Sequence, residues 1–251
     1  MISISVSTAF HPDAHPHLPA VDTVFVSTEG VVFYVNSNVI LKTCVNAFKE
    51  FLGSRLSDDK YRYAPIPVDA QSAELNVILH LLYGTSPAAH SPSFEVLQNA
   101  VDHMQRYSIV PCNYIVPTSP LYTLLLCVAP LHPMDVYVLA AHHKLHELAV
   151  ATSSHLLSYS LRRISEAQAE RMGAIYLKKL MDLHLSRLSS LKNILLTPPH
   201  PHSPTRQCNF QEQKKLTRAW ALASAYIVWD SRLGRYYLKI LISYVTPIRC
   251  R

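Results

Sequence analysis

Glycine is scarce: the 251-residue chain has five, at positions 30, 53, 84, 173 and 234. No GxGxxG, GxxxxGK(S/T) or GxSxG pattern can be assembled from them, which excludes a glycine-rich phosphate cradle and a nucleophile elbow. Cysteine is equally sparse. The five, at 44, 112, 127, 208 and 250, show no CxxC spacing, so neither a disulfide framework nor a cysteine zinc site is expected, and they read as free thiols. That places the protein in a reducing intracellular compartment, cytoplasmic or nuclear. The opening MISISVSTAFHPDAHPH lacks a positive n-region and meets proline before an apolar core of signal length forms, which argues against secretion. Long uninterrupted apolar runs are missing too. Residues 107–134 contain no Asp, Glu, Lys or Arg, but prolines at 111, 117, 120, 130 and 133 break the stretch. A hydrocarbon environment does not tolerate the hydrogen bonds lost at so many prolines, so no membrane span is expected, and the stretch reads as a buried or partner-covered segment.

What is present points to a folded, apolar-rich protein. Hydrophobic residues make up 49% of the chain and charged residues 16%, which is enough for one large or two small cores and leaves apolar faces to meet something. Charge is unevenly placed. Residues 1–159 hold 7 Lys/Arg against 12 Asp/Glu, whereas residues 160–251 hold 16 against 5. A basic third of this kind can mark a nucleic-acid or acidic-protein surface. Because its charges come singly and in pairs along helical patterns, solvated helix faces are the favoured reading.

Residues 1–19, with prolines at 12, 16 and 19, read as an irregular arm. DTVFVS and VVFYV then form a hairpin around Thr28-Glu29-Gly30, where glycine supplies positive φ. From Asn38 the period changes, and Leu41, Cys44, Phe48 and Phe51/Leu52 recur as one face of a helix or of two short helices, closed by Gly53 and Ser57-Asp58-Asp59. YRYAPIPV, 61–68, reads as a short edge strand, because prolines 65 and 67 cannot serve a central one. Leu75, Ile78, Leu79 and Leu82 form a helical stripe, and Phe94, Leu97, Val101 and Met104 form another. The order hairpin, helix, strand, helix, helix is α+β. Beyond residue 133 the pattern is helical, with SEAQ at 165–168 in the form of a capping box and a break at TPPHPHSPTR, 197–206.

Chemistry-bearing clusters are few. In HHKLHE, His142 and His146 stand four apart, on one helical face, with Glu147 following, but neither HExxH nor HxxEH is present, so partly buried or solvated histidines are favoured over a metal site. HPDAHPH in the arm has metal-ligand types without a spacing that sets coordination geometry. No serine is singled out for a triad, so no catalytic residue, cofactor site or metal site is assigned. Trp220, Trp229 and Arg235-Tyr236-Tyr237 could stack on bases beside the basic residues; at helical spacing they read as core.

With the element order in hand, the opening stretch resembles the start of a BTB/POZ domain, in the style of fungal proteins that join this domain to a helical C-terminal region. The residues that carry the resemblance are Asp22 leading a strand, Gly30 in the turn, Phe33, Leu41 and Phe48. Further on they are IPVDAQSAELNVILHLLYG with Tyr83, VLQNAVDHMQRYSI with Tyr107, and the segments VYVLAAHHKLHELAVATSSHLL and MGAIYLKKLMDLH. The resemblance implies an α+β BTB/POZ-like domain over 20–110, a proline-rich apolar connection over 111–132 and a helical extension over 133–196. A linker over 197–209 and a C-terminal helical segment over 210–251 follow. Two departures stand out. Asn36 occupies the place of the family's histidine, and Ser37 that of the basic residue which, with an aspartate, forms a charged pocket in many dimeric members. This counts against dimerisation by that route, while a homo-oligomer of another kind stays open. The expected function is therefore non-catalytic protein–protein interaction, as an adaptor or scaffold. A cullin ubiquitin ligase or a transcription-associated assembly is implied by the resemblance alone. A nucleic-acid-binding protein using the basic C-terminal third is the alternative.

Overall fold

A computed structural model describes residues 5–52 and 64–230. Gly53, the 57–59 turn, the first residues of 61–68, Arg235-Tyr236-Tyr237 and Cys250 lie outside the described residues. The chain divides into two compact units, 1–152 and 153–251, and the described part is mixed α+β, with one small sheet among many helices.

The sheet has four strands in the order β1-β3-β2-β4, formed by β1 (Ser5–Val6), β2 (Thr23–Val26), β3 (Val31–Val35) and β4 (Ile66–Pro67). The β-branched and aromatic runs pair as an antiparallel hairpin with Phe25 opposite Phe33, and both rings lie in the core. Its turn closes through Ser27 N–H to Val31 O and Gly30 N–H to Ser27 O, both 3.0 Å. Gly30 sits at φ +80°, a conformation that costs other residues a Cβ clash. β4 runs parallel to β2 at the sheet edge and is only two residues long, as Pro65 before it and Pro67 within it require.

Residues 5–19 are more ordered than expected. Ser5 and Val6 pair parallel to β3, Phe10 O accepts from Tyr34 N–H at 2.8 Å, and Phe10 is fully buried. Its ring packs on Phe33, His80 and Tyr83. The prolines disguised this, because an aromatic anchor holds a segment that has no periodic pattern of its own.

Helix α1 (Ser37–Thr43) starts at Asn36, whose side chain accepts from Val39 N–H. The face it buries is carried by Ile40 and continues through Cys44 and Phe48; Leu41, expected on that face, is only half-buried. After α2 (Lys49–Leu52) and β4 comes α3 (Ser72–Leu82). Glu74, Val77, His80 and Leu81 are buried along with the expected stripe, so the helix is covered on nearly all sides. Packed against α1, α4 (Phe94–His103) and α6 (Pro120–Val128), it is the axis of this unit. Its first turn receives a tertiary cap: the Glu29 carboxylate, reaching from the hairpin turn, accepts from the Ser72 N–H and hydroxyl.

The proline-rich stretch is helical. Pro111, Pro120 and Pro133 each stand in the first turn of α5 (Pro111–Tyr114), α6 (Pro120–Val128) and α7 (Pro133–His142). There the missing N–H has no intrahelical partner to lose, so proline starts a helix that it would break further in. Leu121, Leu125 and Ala129 are buried. Helix α8 (His146–Ser153) follows.

In the second unit, α9 (Glu166–Leu196) opens with the expected capping box. Ser165 Oγ accepts from Gln168 N–H at 3.2 Å and Gln168 Oε1 accepts from Ser165 N–H at 3.1 Å. Gly173, at φ 73° and ψ 163°, kinks it. Helix α10 (Phe210–Asp230) packs on α9, and Trp220 Nε1–H donates to Leu195 O at 3.0 Å. No helix among the described residues is long and apolar enough to cross a membrane.

Candidate functional site

The residues singled out by the resemblance divide into a polar knot and an aromatic core. Where β3 runs into α1, Asp22 Oδ1 accepts from Ser37 N–H at 2.7 Å and from Thr23 Oγ1–H at 2.9 Å, and Oδ2 accepts from Ser37 Oγ–H at 2.7 Å. Ser37 is fully buried. Beside it Asn36 N–H donates to Tyr83 Oη at 2.7 Å and Asn36 Nδ2–H to Ala20 O at 2.6 Å. Burial pushes the Tyr83 phenol up to about 12, so it stays neutral as an acceptor. Asp22, Asn36, Ser37 and Tyr83 thus tie the hairpin to α1 and α3. The Asp22–Ser37 pair is a hydrogen-bonded anchor of the fold.

Phe48 and Tyr107 stack with ring centroids 4.8 Å apart, and Phe25 lies 4.8 Å from Phe48. Phe48 adopts φ +54°, a strained conformation for a bulky residue. It is held there by its own N–H bond to Tyr107 O at 3.0 Å. Tyr107 Oη–H donates to Asp69 O at 2.8 Å, and burial pushes this phenol up to about 12. Phe33 is core, Gly30 is in the turn and Leu41 is at the rim. These residues build the unit.

The histidines are arranged differently from their spacing. His142 ends α7 and His146 begins α8, because Lys144 at φ +58° reverses the chain and Leu145 N–H returns to Ala140 O at 2.8 Å. The two therefore do not share a helix face, contrary to expectation. His142 lies instead beside His143, ring centroids 4.8 Å apart and nearly perpendicular, and both meet Asp102 from α4. His143 Nε2 is 2.6 Å from Asp102 Oδ1. One ligand atom from each of Asp102, His142 and His143 lies within 4.8 Å of the other two. His143 was missed because its other partner is 41 positions away, beyond any local spacing.

A second group surrounds Phe10. His15 and His80 flank its ring at 5.4 and 5.1 Å, and His90 lies 5.5 Å from His80. His80 Nδ1 bonds Thr85 Oγ1 at 2.7 Å, while its Nε2 is buried and has no hydrogen-bond partner among the described residues. Burial first, then His90 and His15, push His80 down to about 4. His15 is lowered for the same first reason. His15 of the arm is thus a packing group as well as a polar one.

No protein-family model, curated protein or solved structure matches the chain.

Proposed function

We propose that this chain is a non-catalytic protein–protein interaction module of BTB/POZ type, working as an adaptor or scaffold. The observation that carries the reading is the apolar surface on the two long helices of the second unit. Helix α9 buries Met172, Leu180 and Leu195, and α10 half-buries Leu216, Trp220 and Ile227; each leaves a second stripe open, Met181 and Leu185 on α9 and Leu222 and Tyr226 on α10, paired at four-residue spacing. Leu185 is 60% exposed and Leu222 74%. Side chains of this size left in water on adjacent turns mark surfaces that meet a partner. Lys178, Lys179 and Arg187 flank the α9 pair along the helix, and Lys215 and Arg218 precede the α10 pair. The matching partner surface is apolar and edged with carboxylates.

Support for the BTB/POZ part is the sequence resemblance together with an α+β unit in which Phe33, Phe48 and Tyr107 occupy the core. By resemblance alone, the assembly served is a cullin ubiquitin ligase or a transcription-associated complex. Trp220 is half-buried and its N–H donates to Leu195 O, which supports the core reading of this ring over the base-stacking one.

The test compares Leu185→Asp and Leu222→Asp with the parent chain by light scattering over a range of concentrations and by affinity capture. Loss of self-association or of a captured protein, with unchanged melting, supports the reading. A strict monomer whose captured set is the same in all three proteins overturns it. Binding to DNA or RNA that weakens steeply with salt would replace it with the nucleic-acid alternative.

A further inference from the structure

We propose that Asp102, His142 and His143 form a binding site for one divalent transition-metal ion of the zinc class, joining the C-terminal end of α4 to the C-terminal end of α7. The donor set is two imidazole nitrogens and a carboxylate oxygen. That composition suits zinc, cobalt(II), nickel or copper(II) and disfavours calcium and magnesium, which take oxygen ligands. The three atoms already converge within 4.8 Å. Around an ion with bonds of about 2.0–2.2 Å, tetrahedral ligands sit roughly 3.4 Å apart, so closing the site takes a small inward movement. His142 can supply most of it, because it is exposed and ends its helix, whereas His143 is held with its side chain only 2% exposed. Asp102, at 28% side-chain exposure, leaves the ion reachable from solvent.

In the metal-free protein the 2.6 Å contact between His143 Nε2 and Asp102 Oδ1 is a hydrogen bond. Binding through Nε2 uses the neutral tautomer with its hydrogen on Nδ1, so the shared hydrogen leaves Nε2 and one is taken up at Nδ1; the cation then replaces the shared hydrogen, and the two ligand atoms move apart by about 0.8 Å to meet tetrahedral metal–ligand distances. Three protein ligands leave a fourth position for water or for a group from outside, the arrangement of an open rather than a closed zinc site. The ion would also staple the two helix ends, so binding should raise the melting temperature of the unit through linkage.

The experiment titrates zinc, and separately cobalt(II), into the full chain by calorimetry, with the cobalt ligand-field spectrum and the melting temperature as independent readouts. Expected are one specific equivalent, a cobalt spectrum with nitrogen ligation, and a zinc-dependent rise in melting temperature. His142→Ala, at an exposed position that should leave the fold intact by circular dichroism, weakens this binding roughly tenfold or more. Asp102→Asn acts in the same direction. A double change of His11→Ala and His17→Ala in the histidine-rich arm leaves it in place. The proposal is overturned if micromolar zinc does not bind, if His142→Ala and Asp102→Asn bind as the parent does, or if only the arm variant loses the ion.

Discussion

Replacing Asp22 by alanine should open the first unit far more easily than its position at the rim of the sheet suggests. The carboxylate accepts three hydrogen bonds, two of them from Ser37 at 2.7 Å, and Ser37 has no exposure through which water could substitute. Hydroxyl groups can turn to other partners, but the Ser37 N–H cannot. A buried donor left without an acceptor costs about 1–3 kcal/mol, and losing bonds to a charged group adds to it, so Asp22→Ala should cost about 3 kcal/mol. Asp22→Asn keeps one oxygen for that N–H and should cost about 1 kcal/mol. Both tryptophans, at 220 and 229, lie outside this unit, so their fluorescence is the wrong probe. Cys44 is buried at the end of α1, and its alkylation, resolved by peptide mass, reports opening of this unit alone. In the regime where reclosing outpaces labelling, Asp22→Ala should speed the modification of Cys44 roughly a hundredfold. A change under about threefold, or equal effects of alanine and asparagine, would refute the view of Asp22 as the anchor of Ser37.

Two further outcomes follow from the same chemistry. The folded protein holds His80 near 4, below the ordinary 6.5, so between these values the unfolded chain binds the extra proton. Stability from this group is whole above pH 6.5 and declines as the pH falls toward 4, by up to about 3 kcal/mol. His15 adds in the same direction, and urea midpoints of His80→Leu across this window should show a flatter slope than the parent. In the second unit, Ser165→Ala removes one half of the capping box and should cost about 1 kcal/mol. Tryptophan fluorescence suits that measurement, and an unchanged midpoint would mean that the cap is not used.

The hairpin, the capping box and the helical stripes were legible because each is a local pattern. Alternating β-branched residues, a glycine between them and a Ser-x-x-Gln before an apolar run each specify short-range hydrogen bonds whatever the rest of the chain does. Phe10 was not legible. Nothing near it in sequence is periodic, and its burial depends on Phe33, His80 and Tyr83 converging on one ring. Proline misled in 111–133 because its effect has opposite sign at the first turn of a helix and inside it, and the register of three short helices is not visible in composition. HHKLHE misled for a related reason: an unbroken helical spacing hid a left-handed Lys144.

By itself the sequence determined an α+β chain with a β-hairpin start, a helical remainder, a basic last third and no glycine-rich phosphate or nucleophile motif. Those properties depend on neighbours within a few residues or on simple counts. Only the tertiary structure decided that Asp22 is spent on Ser37 and that the arm belongs to the sheet. It alone decided that Asp102 meets His142 and His143. These are meetings of groups 15 to 41 positions apart along the chain, which no short-range pattern encodes.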